Sequence, residues 1–522
     1  MKKLLTVLLI ALLSVSLFAQ GGQESKKAST TTDGPVVIDL WYGAAITEAG
    51  PVPEDWVGYQ IIRDKLNIEL KLTQLPSNEG DQDAKIQTAG AANNLPDLFM
   101  VSRKVLTNLV KQGLVADVTD CYAKMPTRTA LQYDADAIKH TTINGASYGF
   151  ASPGSIMKNE GLLIRKDWLD NLGLSVPTTL EELYNVCYAF TYNDPDGNGK
   201  NDTYGYGGYV EADDTLKGYP GARFFPLMGA FGVEGMWSFD SETAGLNIYK
   251  PEFYDFMVFM KKMCDDGVID PNWLAYKKDD FRAAWKQGKF GVMKEQNAAF
   301  AAKSNYAPFD ANFPEGSWVI CDAITGPNGD ASIGAYDVNY RIYAVSEKAA
   351  DAGKLDAICR LLDWMSSDEG YFLLGWGVEG VNYVKGANGV PVAGDLGDMA
   401  FTGSKGQTVT QLRNMVFYNG DTELASRYPT YTTEVSKKEM SALKVLREMQ
   451  SKHWTANIGA GSMPTSSADV KRYYEQSLGE FLTGKTALTE ANWAKFLEGF
   501  DKVGGKAWND QGVAYMKENG LI

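Results

Sequence analysis

The chain has 522 residues, room for two or three domains with a large core, which excludes a peptide, a disulfide-stapled miniprotein or a lone small module. Apolar residues make up 44% and charged residues 22%, an ordinary globular balance that excludes the disordered and fibrous classes. With 65 acidic against 50 basic residues and no basic stripe, the composition argues against nucleic acid as a partner, and two histidines, His140 and His453, are too few for clustered-histidine catalysis.

Lys2 and Lys3 precede an apolar run from Leu4 to Leu13, and small or polar residues follow through Ala19 to Gly22, the order of a secretory signal peptide over residues 1–19. The apolar run is about half of the roughly 20 residues that a spanning helix needs, so cleavage rather than anchoring is expected. The mature chain is then periplasmic or extracellular. Its first cysteine is Cys121, so no lipid on an N-terminal Cys thiol is expected. Residues 20–35 are polar without apolar periodicity and read as a disordered tether. Cys121, Cys187, Cys264, Cys321 and Cys359 are scattered and odd in number, which fits small buried hydrophobes rather than a disulfide framework or zinc site.

Ordered sequence begins with a buried strand over 36–42, followed by a helix over 55–65, a strand alternating at Ile68, Leu70 and Leu72, and a helix over 81–92. A strand at 97–102 and a helix at 104–112, stopped by Gly113, complete a doubly wound α/β pattern, with ligands expected at the carboxyl ends of the strands. Leu162 to Ile164 is another strand. Thr179 with Glu182 three residues on predicts a capping box opening a helix whose apolar face is Leu180, Leu183, Val186, Cys187 and Phe190. Helices at 254–264 and 281–287, a strand at 289–293, a strand at 340–345 and a helix at 355–365 follow, and the last hundred residues are mainly helical in pattern. No period of 20–50 residues repeats, which argues against a solenoid or propeller.

The most informative segment is NDPDGNGKNDTYG over 193–205. Asp194, Asp196 and Asn198 alternate, Gly199 permits a sharp bend, Lys200 offers its carbonyl and Asp202 occupies the ninth position of an EF-hand-like loop. These are hard oxygen ligands for Ca2+. Position twelve is Gly205, so the bidentate Glu is missing, and Glu211, Asp213 or water would complete the shell. A structural site suited to extracellular calcium is expected, with a dissociation constant of about 10⁻⁴ to 10⁻³ M. A polar turn that merely collects Asp, Asn and Gly is the alternative.

The run LIRKDWLDNLGLSVPTTLEEL over 163–183, with the calcium-type loop behind it, resembles the family 1 extracellular solute-binding proteins of ABC importers, in particular the large oligosaccharide-binding branch that includes alginate-oligosaccharide binders. GLVADVTD at 113–120, NGASYG at 144–149, DGVIDP at 266–271, GKFGVM at 288–293 and GWGVEG at 375–380 are similar to that branch in the same order. The resemblance implies a two-lobe periplasmic-binding-protein type II-like α/β fold that closes on a sugar and delivers it to the permease. It implies discontinuous lobes, about 36–150 plus 340–390 and 151–339 plus 391–522. It also implies a structural calcium site, remote from the sugar, on Asp194, Asp196, Asn198, Lys200 and Asp202. Thr203 stands where some relatives carry a further acidic residue.

A pyranose has apolar faces and polar edges, so aromatic platforms with carboxylates, amides and Arg suit it. Trp41 and Tyr42 end the first strand and Trp56 and Tyr59 open the next helix, candidates for the rim of the first lobe. By position in the family pattern, Tyr148 lies near a crossover, Glu295 and Gln296 follow the strand ending at Met293, and Tyr336, Asp337 and Arg341 approach another crossover. Trp237 and Trp376 are further candidate platforms. Core packing is the competing reading for each aromatic. No catalytic motif such as G-x-S-x-G or H-E-x-x-H is present, so a monomeric non-enzymatic receptor is expected. A secreted carbohydrate-active enzyme or a peptide receptor of the same fold are the alternatives.

Overall fold

A computed structural model describes residues 34–133, 135–152, 158–213, 215–337, 341–416, 421–457 and 459–522. The expected signal peptide and nearly all of the expected tether lie outside these. Among the described residues no helix is long and apolar enough to cross a membrane.

Residues from Val36 onward form one body built on two mixed sheets. The first contains β1 (Val36–Tyr42), β2 (Ile68–Gln74), β3 (Leu98–Val101) and β4 (Phe150–Ser152). The second contains β5 (Glu160–Arg165), β6 (Tyr204–Gly207), β7 (Phe290–Gln296) and β8 (Trp318–Cys321). A short β9 (Ala335–Asp337) pairs in parallel with β11 (Thr455–Asn457), and between them in sequence β10 (Arg341–Val345) returns to the first sheet. The orders are β2-β1-β3-β10-β4 and β8-β5-β7-β6.

In the first sheet β1, β2 and β3 are parallel, with Val36 opposite Ile68 and Trp41 opposite Phe99. Parallel strands need covering on both faces, and Ile38, Leu40, Leu98 and Phe99 are fully buried accordingly. Asn78 and Ser102 cap helices Glu79–Ala91 and Arg103–Lys111 by accepting the backbone N–H of Asp81 and Val105, as N-cap side chains do. β10 is antiparallel to β3 and β4, placing Arg341 opposite Ser152 and Val345 opposite Leu98.

The second sheet is apolar on both faces. Leu162, Ile164 and Val292 join the core under helix Leu180–Tyr192 and helix Pro251–Asp265, while Leu163, Phe290 and Met293 face Trp285, Phe309 and Met449. The capping box is present: the Thr179 hydroxyl accepts the Glu182 N–H at 3.2 Å and the Glu182 carboxylate accepts the Thr179 N–H at 3.2 Å. β7 runs on to Gln296, three residues past the expected end at Met293. Glu295 and Gln296 therefore belong to the strand, where Glu295 is opposite Gly161 and Gln296 opposite Glu160.

Phe401, Leu412, Met415 and Val416 pack in the core of the first sheet, whereas Met440 and the stretch from Met463 to Leu521 pack on the second. The chain end then reaches back: the Arg103 guanidinium donates to the Asn519 carbonyl at 2.7 Å, and the Thr107 hydroxyl to its amide oxygen at 2.9 Å.

Candidate functional site

Strand direction defines one edge on each sheet. In the first, the carboxyl ends of β1 and β3, the start of β10 at Arg341 and the end of β4 at Ser152 share an edge. In the second, the carboxyl ends of β7, β6 and β8 share an edge with the start of β5 at Glu160. The chain passes between the sheets at these same edges, from Ser152 to Glu160 and from Asp337 to Arg341. In open α/β sheets, ligands bind outside such carboxyl edges.

The first edge is shaped by the loop after β1. The Gln411 side chain fastens it, accepting the Ile46 N–H at 3.0 Å and donating to the carbonyls of Ile46 at 2.8 Å and Gly50 at 2.6 Å. Tyr42 holds the same loop from below: its buried hydroxyl accepts the Val52 N–H at 3.1 Å and donates to Gln74. Ser152 Oγ is buried with no hydrogen-bond partner among the described residues. Arg341 is half-buried beside it in the ladder.

The second edge carries an ionic network. The Arg223 guanidinium donates to Glu211 at 2.7 Å, to the Lys294 carbonyl at 2.8 Å and to Glu160, and lies 3.5 Å from Glu295. Lys294 pairs with Glu160, and Arg282 donates to both oxygens of Glu295 at 2.9 and 3.2 Å. Burial opposes ionisation of Glu160, yet Arg223 and Lys294 outweigh it and hold its carboxyl at about 2. Beside the network, Trp454 lies 5.4 Å under the Lys294 ammonium and edge-on to Tyr336 at 6.4 Å, and Lys158 covers the other ring at 4.9 Å. Tyr336 also packs against Ala151 of β4 and the neighbouring Ala137.

Gln296, Tyr336 and Arg341 thus stand at the two crossover edges. The other described candidates are packed into cores or held by neighbours, including Trp41, Tyr42 and Glu295, which also lie at strand ends on these edges. Trp41 packs on its sheet face with the Lys85 ammonium 4.6 Å above the ring. Tyr42 and Trp56 are buried, and Tyr59 packs edge-on against Trp56 at 5.4 Å. Tyr148 precedes β4, whose Phe150 is opposite Tyr343, and so sits towards the far end of the sheet from Ser152. Trp237 is buried against Trp508, with ring centroids 5.2 Å apart. Trp376 is 0% exposed, its indole N–H donating to Ser426 at 2.9 Å. Trp56, Trp237 and Trp376 fill cores, as large apolar side chains do, while Trp41, Tyr59 and Tyr148 are half-buried against the first core. Glu295 is 1% exposed and held by Arg223 and Arg282. The Asp337 side chain lies outside the described residues.

Sequence reasoning missed Arg223, Glu160, Lys294 and Trp454. Arg223 carried a signal, a single charge in the apolar run YPGARFFPLMGAFGV, since a buried guanidinium must find carboxylates.

The loop over 194–202 curls through left-handed residues Asp194, Gly197 and Gly199, with φ of 47°, 67° and 75°. The Asp194 carboxylate accepts the N–H groups of Asn198 at 3.0 Å and Gly199 at 2.9 Å. The Asn198 amide bridges Asp196 at 2.9 Å and Asp202 at 3.1 Å. Partial burial, with Asp202 and Asp194 close by, raises the Asp196 carboxyl above its ordinary value. Among the described residues no three acidic, His or Cys side chains stand in a ready-made metal cluster. Glu211 is committed to Arg223 and Lys217, and Asp213 accepts the N–H groups of its own turn, Thr215 to Lys217, so neither completes this loop. At Gly205 a Cβ would stand 2.4 Å from Cys187 Cα, so the strand lies directly on helix Leu180–Tyr192 and no glutamate fits there.

The model of the bacterial extracellular solute-binding protein family matches residues 52–371. The polygalacturonan/rhamnogalacturonan-binding protein YtcQ of Bacillus subtilis is 29% identical over 392 residues, 73% of this chain and 74% of its own. In fold the chain is similar to an extracellular solute-binding protein from Bifidobacterium longum subsp. infantis, with a TM-score of 0.64 at 17% identity over 94% of this chain and 99% of that one. It is also similar to the EF-hand mutant of the ABC-transporter substrate-binding protein FusA of S. pneumoniae in complex with fructo-nystose, with a TM-score of 0.52 at 17% identity over 93% and 100% of the two chains.

Proposed function

The chain belongs to the bacterial extracellular solute-binding proteins, and from that premise we propose that it captures an oligosaccharide between its two lobes and delivers it to the permease of an ABC importer. One observation carries the reading. The carboxyl edges of both sheets adjoin the two crossovers, and there Tyr336 and Trp454 offer rings beside the polar groups of Gln296, Lys158 and Arg341. Aromatic faces suit the C–H faces of a pyranose and the polar groups its hydroxyls. Contacts from both lobes would favour a closed form, since a ligand shifts an equilibrium only by its differential affinity for the two states. Core membership, with the bonds of Ser426 and Arg427 to Trp376, Pro391 and Gly375, supports lobes of 36–152 plus 341–416 and 421–427, and of 160–337 plus 440–522. That moves 391–416 and 421–427 to the first lobe, relative to the expected boundary.

We also infer that residues 1–19 are a cleaved signal peptide, that the mature protein works outside the cytoplasmic membrane as a monomer, and that the loop holds calcium. The all-oxygen donor set and the mutual repulsion of its carboxylates support the metal. The carboxylates of Asp194, Asp196 and Asp202, the Asn198 amide oxygen and the Lys200 carbonyl would hold it. Bound there, calcium would supply a structural cross-link between helix Leu180–Tyr192 and β6.

Calorimetry with oligosaccharide panels, with scattering to follow compaction, tests the function. Saturable binding with a smaller radius of gyration and the sugar recovered uncut is expected. Binding of peptides alone, or cleavage of the sugar, overturns it.

A further inference from the structure

Resting on the oligosaccharide reading, the geometry points to an acidic cargo: we propose that the bound sugar is an oligouronide, one of whose carboxylates is taken by Arg341 and Arg413 on the first lobe. Arg413 belongs to the turn Gln411–Met415, the one whose Gln411 fastens the loop after β1, so it stands on the wall of the first carboxyl edge. Its Nη1 is buried without a hydrogen-bond partner. Neither Arg341 nor Arg413 makes an ion pair among the described residues.

Arg427 lies close by but is differently placed. It donates to Glu423 at 3.1 Å and to the Gly375 carbonyl at 3.0 Å, and it stacks over Phe401 at 5.4 Å. Glu423 is the carboxylate of the group, and its second oxygen is buried without a partner. Three guanidiniums therefore share one carboxylate, and Arg427 already uses it. Burial, then the neighbouring Arg427 and Arg341, pull Arg413 down to about 10 against the opposing pull of Glu423. The stretches Val-Asn-Tyr at 338–340 and Phe-Tyr-Asn-Gly at 417–420 contain no acidic residue; the side chain of Asp337, the acid nearest Arg341 in sequence, lies outside the described residues.

A buried cation that must share its neighbouring carboxylate with two other cations is incompletely compensated, and the deficit is met when a further carboxylate arrives with the ligand. A guanidinium fork matches a carboxylate by two parallel N–H···O bonds. A uronate ring carries that group on the edge of the same pyranose whose face would rest on an aromatic platform. The second edge is different in kind. Its arginines and lysine are already matched to Glu160, Glu211 and Glu295, so that edge presents acceptors for hydroxyls rather than an unfilled charge.

The test is titration calorimetry on the full mature chain with oligomers of galacturonate, glucuronate, mannuronate and guluronate, the corresponding methyl esters and the neutral hexose oligomers, at 50 and 500 mM salt. At least one acid should bind ten-fold or more tightly than its methyl ester, and more weakly at high salt. Arg413→Met should lower the affinity for the acid at least ten-fold while leaving the ligand-free melting temperature equal or higher, because an unpaired charge has been removed. Arg341→Gln should act in the same direction. A neutral oligomer or an ester binding as tightly as the best acid overturns the acidic cargo and leaves the oligosaccharide receptor standing. No binding by any sugar overturns both. A fall in the ligand-free melting temperature of Arg413→Met, with acid affinity retained, assigns Arg413 to the scaffold and refutes the proposal.

Discussion

Glu160→Gln tests the physical account of the second edge. Glu160 meets Arg223 at 2.5 Å and pairs with Lys294, and the three side chains are 18%, 5% and 1% exposed. Burial raises the cost of its charge, but the two cations outweigh burial and hold the carboxyl at about 2, against an ordinary 4.5. A carboxyl depressed on folding adds stability above its unfolded value and loses it as pH falls towards the folded one. The difference corresponds to ~3.4 kcal/mol at pH 7 and ~1.4 kcal/mol at pH 3. Breaking a buried pair by removing one partner costs about 3–5 kcal/mol by an independent route. Lys294 makes the loss worse. Its burial already pulls it below its ordinary value, Glu160 opposes that shift, and Arg223 adds to it. The variant should melt ~7–14 °C below the parent at pH 7, taking 2–4 °C per kcal/mol for a unit of this size. By circular dichroism or scanning calorimetry that gap should shrink to less than half by pH 3. Equal melting temperatures at pH 7, or a gap that does not change with pH, would refute the reasoning.

Chelation of calcium should lower the melting temperature, because 1 mM metal at about ten times a 10⁻⁴ M dissociation constant stabilises by ~1.4 kcal/mol. The double variant Asp196→Asn with Asp202→Asn should lose that response, and a parent protein indifferent to chelator contradicts the calcium loop. Gly205→Ala puts a methyl 2.4 Å from Cys187 Cα and should destabilise by about 1–3 kcal/mol as overpacking does, measurable by urea unfolding. Trp376→Ala removes a ring with 0% exposure and its bond to Ser426, so it should cost about 3–5 kcal/mol of stability. A full-stability variant with weakened sugar binding would instead restore Trp376 as an open platform.

Elements whose signal is local were legible. β1, the helix capped by Thr179 and the helix over 355–365 follow from β-branched and aromatic density, a capping pair and a 3.6-residue stripe that no distant residue alters. β7 shows where that stops. Lys294, Glu295 and Gln296 look like the residues after a strand, yet the strand continues through them because Glu160 and Arg223, 134 and 71 residues away, supply their partners. Tyr42, Trp56, Trp237 and Trp376 are buried for a related reason. Trp376 and Trp454 are the same residue type in equally unremarkable stretches, and only the packing of Ser426 against one and Lys294 against the other separates core from rim. The position of Arg341 at a crossover was legible. Those of Arg413 and Arg427 were not, because the segment that carries them has little regular structure and returns to the first lobe through Leu412, Met415 and Val416.

The two edges differ in charge balance, and that difference bears on how closure would be driven. A ligand bound by the first lobe alone stabilises open and closed forms alike and moves nothing. The unpaired arginines there would supply affinity and selection for an acid. The shift towards closure would have to come from the second edge, where Tyr336 and Trp454 add ring contacts and Gln296 adds hydrogen bonds made only when the lobes meet. The chain end sets a limit on that movement. Arg103 and Thr107 of the first lobe hold Asn519 through buried hydrogen bonds of 2.7 and 2.9 Å, each costly to break because it would strand a buried polar group. Rotation about an axis near that contact preserves both bonds. Arg103 opens the helix directly after β3, so this contact lies at the first carboxyl edge, and the lobes would then close about the crossover edges, which move least, while the far ends of the sheets move most.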